Sequence, residues 1–598
     1  MAGGDRRLVQ PPGIVMSVRA LAAPILFLTV VAGVFLLLAL PLSVPVGPFY
    51  WDTLIYYDGA ARIAAGQTPS VDFMSPGGPL GYWLFYAVLK VFPQAQGLYA
   101  ASFMLLIVTG PLMALVVHDV ARRNGWVALA LAVPFLMFSV LPFNVEQHYP
   151  YPGADGFGIY NRQPAQLLYL LLSALLLVEA RWVRVVSVAG CLLALFLIKI
   201  TGFLVALPLV ALAWLSGRLT ARQLLAVLAA FGVVVAGLEA WNGVVGAYLR
   251  DIVRLVELND GSMVFSLLRG VSIHLGQIVL ALLLAAVLLV LERRGILAGL
   301  KAAAFLKVDR AGLSAVFDTH SAWILVAIAA GTLFESENWG GQAFIFLWPP
   351  VIRCLTDPAL ARGRRQLLLW VIAVAALVPA AESVAGRAMR SYVAQLRYER
   401  MVAPALGPIA AVSQHPESFE RARLMRELAV AFPAYYALAA DRGRLPSYIM
   451  YNEPEFQIAW LAAVAEGVSA IEAYEARTGT RFETILSLNF VNPFPYLLER
   501  RAPRYVSIGA DPFRTIPPLD ARTTRSLEET DLVLWPRCIE TVANRRIRAI
   551  YAAGLAGRRT IALSPCWDGF VRPDPANGRS PPGGEAEVSS TLAAVGIR

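Results

Sequence analysis

Residues 21–46 read LAAPILFLTVVAGVFLLLALPLSVPV, a run without one charged side chain. About 20 apolar residues suffice for a helix to cross a hydrocarbon core of about 30 Å. The run is too long for the apolar part of a cleavable signal peptide and lacks a small-x-small exit, so it reads as a retained first span. Arg6, Arg7 and Arg19 precede it. The same texture returns at Leu80–Phe92, Gly97–Val117, Val127–Phe143, Ala165–Leu177, Val185–Ile198 and Gly202–Leu215. It continues at Leu224–Trp241, Ile273–Leu291, Ala322–Phe334, Ala343–Ile352 and Leu367–Ala380. Only 15% of the 598 residues are charged, against about 25% in soluble proteins, and the deficit falls before residue 386. A soluble core does not need so many such runs in succession. The expected fold is a polytopic α-helical membrane protein of about 11–12 hydrophobic helices over residues 1–386. A soluble α/β domain over 387–578 and a disordered tail over 579–598 follow it.

The net charge of +10 reflects orientation more than nucleic-acid binding, because Lys and Arg collect in cytoplasmic turns. Arg122/Arg123, Arg181/Arg184, Arg218/Arg222, the group from Arg293 to Arg310, and Arg362/Arg364/Arg365 mark five inside turns. The loops 48–79, 144–163, 243–270 and 335–342 and the region of Lys199 then lie outside. Leu80–Phe92 decides the scheme. At 1.5 Å per residue it falls short of the core thickness and reads as a re-entrant or interfacial helix; a full crossing would invert the rest. Without that crossing, everything after about Gly386 lies outside. In the tail, helical spacing appears at Glu417–Leu438, Phe456–Arg477 and Ile539–Ala556. Strand-like runs appear at Thr484–Val491, Tyr505–Ile508, Leu532–Trp535 and Thr560–Leu563, the last two flanking a helix as a strand–helix–strand unit. Cys191 and Cys354 fall in apolar runs. Cys538 and Cys566 fall in the tail and can pair if its compartment is oxidising.

The first outside loop carries the most chemistry. Residues 49–83 read FYWDTLIYYDGAARIAAGQTPSVDFMSPGGPLGYW. Asp52 stands where the first helix leaves the membrane. Tyr56, Ala60, Ile63 and Gly66 recur every three to four residues, which predicts an amphipathic helix along the interface.

Asp52/Tyr56, Gly66, Pro69, Asp72-Phe73 and Gly78-Pro79-Leu80 together resemble the GT-C superfamily of membrane glycosyltransferases. The likeness is to the bacterial protein mannosyltransferase and aminoarabinose transferase type. It covers residues 45–95 well and extends loosely to about 380. It implies a sugar donor carried on polyprenyl phosphate, a glycan, lipid or protein acceptor, and work at the periplasmic face of a bacterial inner membrane. Asp52 is then the general base that takes the acceptor proton; its alternative role is to cap the interfacial helix. Asp58, on another side of that helix, is the reserve catalytic carboxylate. Tyr56 is a substrate contact, and Asp72 is either a site residue or a turn stabiliser.

A lipid phosphate needs a cation. Lys199 interrupts a run otherwise apolar from Val185 to Leu215, which suits either donor binding or snorkelling to the interface. Arg162, in Tyr160-Asn161-Arg162-Gln163, is a second candidate. Glu335 and Glu337, next to Asn338 and Trp339, are candidate sugar contacts or a polar turn. Glu146, His148 and Asp155 match no metal signature, so no cofactor is called and a divalent cation stays open. The competing function is a non-enzymatic transporter or envelope-assembly protein whose tail is a binding module. Transporters place ionisable groups at mid-membrane; here the acids cluster in the outside loops.

Overall fold

The computed structural model describes residues 18–147, 150–259, 261, 263–304, 310–337, 340–360, 363–445 and 453–573. His148, the Asn338–Trp339 pair and the stretch 579–598 lie outside these residues. Among the described residues, seven helices are long and apolar enough to cross a membrane. Six precede the tail, from Leu21–Leu38 to Gly363–Gln395; the seventh, Pro454–Thr478, is the central helix of the tail. Shorter apolar helices such as Gly125–Val140 and Ile200–Leu215 pack among them. The last helix of the bundle runs on past residue 386 to Gln395. Its Arg387 reaches the buried Asp155 of the 144–163 loop at 2.6 Å.

Contacts between turns define two ends. At one, Arg123 pairs with Asp119 at 3.1 Å and Glu179 at 3.0 Å. Arg184 Nη1 donates to the Arg218 carbonyl at 2.7 Å. Arg218 and Arg353 share Asp318 at 2.6 and 3.0 Å. The turns of Arg123, Arg184 and Arg218 are thus neighbours in space, as a common face requires.

At the other end the first loop and the tail are one unit. Strand β1 (Val44–Pro45) pairs in parallel with β3 (Val412–Gln414), which pairs antiparallel with β2 (Glu399–Arg400). Gln457 accepts from the Tyr50 N–H at 2.7 Å and donates to the Gly47 carbonyl at 2.9 Å. Arg62 is buried where loop and tail meet: Nε pairs with Asp58 at 2.8 Å, and Nη1 donates to the Pro503 carbonyl at 2.7 Å. Gln67 Nε2 donates to the Ala502 carbonyl at 2.7 Å.

The short apolar run sits among these contacts. It forms the helix Pro79–Val91. Before it, the Met74 carbonyl accepts from the Ile508 N–H of the tail at 3.0 Å. After it, Gln96 Nε2 donates to the Tyr50 hydroxyl at 3.1 Å, and that hydroxyl donates to the Ile409 carbonyl at 3.0 Å. The segments flanking the helix on both sides thus contact the tail or the first loop bound to it, as a re-entrant or interfacial helix would.

The tail carries a four-stranded sheet of β4 (Ile485–Ser487), β5 (Leu532–Pro536), β6 (Arg559–Ser564) and β7 (Trp567–Val571) in the order β4-β5-β7-β6. The helix between β5 and β6 is shorter than expected, at Val542–Ile550. The strands flanking it are not neighbours, because β7, unmarked in the sequence reading, inserts antiparallel to both. Glu417–Leu438 is split at Pro433 into Pro416–Ala431 and Pro433–Asp441, since proline cannot continue the ladder of the preceding helix. Tyr505–Ile508 is no strand. Tyr505 adopts φ +62°, and the N–H groups of Tyr505 and Ile508 turn to the carbonyls of Asp72 and Met74 in the first loop. Cys538 and Cys566 are joined, and Cys191 and Cys354 are free and buried.

Arg62→Ala leaves the buried Asp58 carboxylate without its partner, a loss of about 3–5 kcal/mol for such pairs. The expected outcome is a lower melting temperature and faster proteolysis around residues 500–515; unchanged values would contradict the docking. The disulfide closes a separation of 28 residues, a loop whose entropy is worth about 3–4 kcal/mol. Cys538→Ser with Cys566→Ser is therefore expected to lower the melting temperature of the tail, read by scanning calorimetry.

Candidate functional site

The loop helix, Asp52–Ala64, starts after Trp51 and stops at Gly66, whose φ of +78° ends the ladder at little steric cost. Trp51 is its cap residue and makes no side-chain cap bond. Asp52, in the first turn, is 6% exposed, and no protein hydrogen bond to its carboxylate occurs among the described residues. Burial alone raises it to about 8. The capping role is therefore not the one its side chain takes here.

Asp58 differs. Burial raises its carboxyl too, but the Arg62 charge and hydrogen bond oppose that shift. Its oxygen is committed to Arg62 at 2.8 Å. Two carboxylates on one helix thus occupy opposite environments, one engaged and one free.

Around Asp52 stands a set of tyrosines. Burial holds the Tyr56 hydroxyl well above its ordinary value; Tyr82, Tyr160 and Asp52 push the same way and Arg162 opposes. Tyr56 and Tyr82 rings pack at 5.6 Å between centroids. Tyr56, Tyr82 and Tyr160 line one small hollow with Gly78 and Ile198. Lys199 packs over Tyr160, with Nζ 4.9 Å from the ring centre and 2.5 Å from Asn161 Oδ1. Tyr160 is also within electrostatic reach of Asp52, and of Asp511 and Arg514 from the tail.

Lys199 breaks the helix pair Arg181–Ile198 and Ile200–Leu215 with an extended backbone, φ −161°. The break frees the Ile198 carbonyl, which accepts from the Gly78 N–H at 2.8 Å. A Cβ at Gly78 would stand 2.2 Å from the Leu197 carbonyl oxygen, so only glycine permits this approach. The Gly-Pro motif of the first loop and the lysine break are two halves of one joint.

Arg162 is buried beside this group. Its Nη2 donates to the Asp155 carbonyl at 3.2 Å, and its Nη1 has no partner. Asp72 serves the turn and the tail: it accepts from the Thr68 N–H at 2.8 Å and faces Arg504 at 3.4 Å. Glu335 is buried 3.7 Å from His274 Nε2, which lies 3.3 Å from Glu146. Glu337 is exposed, and both Glu337 and Glu335 act electrostatically on Lys199. Among the described residues, no group of three or more His, Cys, Asp or Glu is arranged to hold a metal ion.

The structure thus gathers Asp52, Tyr56, Arg162 and Lys199, with Glu335 and Glu337 within reach of the lysine, and turns Asp58 and Asp72 to the tail interface. Tyr160, Asn161, His274 and the 511–514 segment were not singled out in the sequence. Tyr160 and Asn161 adjoin Arg162, so their position was the available signal; the tail segment had none, because its role depends on docking.

No family model and no curated protein matches the sequence. Two solved structures are similar to the chain, both of ArnT from Cupriavidus metallidurans. The apo state is 14% identical at a TM-score of 0.34 and covers 92% of this chain and 98% of that one. The form bound to undecaprenyl phosphate is 15% identical at 0.39 and covers 94% and 100%. With TM-scores this low, the reading of the site rests on its own residues.

Proposed function

We propose that the protein is a glycosyltransferase that moves a sugar from a polyprenyl-phosphate donor to a hydroxyl of a cell-envelope glycan, lipid or protein. The supporting observation is the buried Asp52 carboxylate within electrostatic reach of Tyr56 and Tyr160, two of the residues that line a hollow, with Lys199 Nζ over the Tyr160 ring. Asp52 takes the proton from the acceptor hydroxyl as its oxygen forms the bond to the anomeric carbon. The bond from that carbon to the phosphate oxygen breaks, and the polyprenyl phosphate leaves with the electron pair. Attack opposite the leaving group inverts the anomeric centre. Lys199 and the free Nη1 of Arg162 balance the departing charge, as preorganised cations do at developing anions. The scheme routes no step through a metal.

The same reading sets the address. The tail and Asp52 share one end of the bundle and the basic turns the other. With basic turns inside, the tail faces an oxidising periplasm, which suits the Cys538–Cys566 bridge. A C-terminal alkaline phosphatase fusion is expected to be active and a green fluorescent protein fusion dark; the reverse would overturn the orientation.

Catalysis is tested on the intact protein with membrane-extracted lipid-linked sugars. Asp52→Asn is expected to lower kcat by about 10²–10⁴, the usual span for a lost general base, with insertion unchanged. A base works deprotonated and Asp52 sits at about 8. In the wild type kcat/KM should therefore fall about tenfold per unit as pH drops below that value and level off above it. Full activity in Asp52→Asn would sink the assignment. Lys199→Ala should raise the donor KM more than it lowers kcat, with partial recovery in Lys199→Arg; an unchanged KM would remove the lysine from the donor site.

A further inference from the structure

A second and larger cleft, about 470 Å³, lies next to the tyrosine-lined hollow. Phe73 lines it and packs edge-on against Tyr82, which lines the hollow. Its walls are the Ser70–Met74 turn, the helix Val244–Leu258 and tail residues 505–523. That helix is tied in at both ends. The Tyr248 hydroxyl accepts from the Ile200 N–H, the residue after Lys199, at 3.1 Å. Asn259 Nδ2 donates to the Arg514 carbonyl of the tail at 3.1 Å. Leu249, Val253 and Val256 stay exposed, an apolar face suited to the membrane surface.

Asp251 projects from this helix into the cleft. It is 3% exposed, and its Oδ2 has no hydrogen-bond partner. Ser70 is the nearest hydroxyl, and Arg254 and Arg250 act on the carboxylate electrostatically. A buried carboxylate oxygen left unpaired is costly, so the fold keeps it only against a strong structural preference. Around the mouth stand Arg250, Arg254 and Arg522, exposed and without ion pairs among the described residues. Asp520 is occupied as a helix cap, accepting from the Thr523 N–H and hydroxyl at 2.8 Å each, and Arg254 acts on it electrostatically; the exposed Glu257 stands on the same wall as Arg250 and Arg254.

We infer that this cleft binds a saccharide bearing an anionic substituent. Asp251 accepts from its ring hydroxyls, and Arg250, Arg254 and Arg522 hold its carboxylate or phosphate, a match guanidinium forks make well. As the acceptor side of the transferase it rests on the function proposed above, yet binding can be read without turnover. The test is calorimetric titration of the full-length protein in zwitterionic nanodiscs. The probes are trigalacturonate for the carboxylate, glucose 6-phosphate for the phosphate and maltotriose as the neutral control. At least one anionic probe should bind and maltotriose should not. Arg254→Ala with Arg522→Ala, and separately the near-isosteric Asp251→Asn, should each weaken that binding about tenfold or more, the effect of one charge-assisted hydrogen bond. Equal affinity for maltotriose, no binding of either anionic probe, or binding indifferent to all these variants would overturn the inference. So would arginine-dependent capture of phosphatidylglycerol vesicles in place of the saccharides. Saccharide binding without any Asp52-dependent transfer would leave the cleft and remove the transferase; transfer with no binding in the cleft would do the opposite.

Discussion

The structure depends on one buried ion pair. Arg62 and Asp58 meet at 2.8 Å with almost no solvent exposure on either side chain. Removing two charges from water costs several kcal/mol each, and the loss is repaid only where further hydrogen bonds complete the geometry. Here they come from the tail, through the Pro503 carbonyl, and from Gln67, which itself holds Ala502. Arg62 Nη1 finds the Pro503 carbonyl only in the docked arrangement, so the pair ties a membrane loop to residues more than four hundred positions away. Strand pairing at Val44–Pro45 and the bonds to Asp72 and Met74 extend the same contact. Loop and tail act as one body, which positions the helix that carries Asp52.

That constraint also separates the two carboxylates. Asp58 gives its lone pairs to Arg62, whereas Asp52, nearly two turns earlier, meets no cation and is raised by burial. Environments that pull two acids apart divide a structural role from a chemical one. On the other side of the hollow, the joint between Gly78 and Ile198 fixes the helix break from which Lys199 reaches Tyr160 and Asn161.

Much of this was legible in the sequence. The uncharged runs gave the spans, and the arginine turns gave the two ends. The motif from Asp52 to Leu80 marked the loop that proves central, and Lys199 announced itself as a charge inside an apolar run. What the sequence could not show was set by long-range docking. The length of Leu80–Phe92 makes a full crossing a poor fit, but the contacts of Met74 and Gln96 with the tail and the loop bound to it could not be read from the sequence. Tyr505–Ile508 has strand-like composition, yet its N–H groups are drawn to the first loop. Asp251 sits on a helix with ordinary amphipathic spacing, and nothing local distinguishes a buried carboxylate from an exposed one.

Asp52 is a buried carboxylate without a protein partner, raised by burial. Isotope-edited infrared titration of the intact protein, wild type against Asp52→Asn, measures this directly. A carboxylic acid band that persists through neutrality, disappears at about pH 8 and is missing from the variant is the predicted result. A difference spectrum in which Asp52 is already ionised at acidic pH would rule out a carboxyl raised by burial.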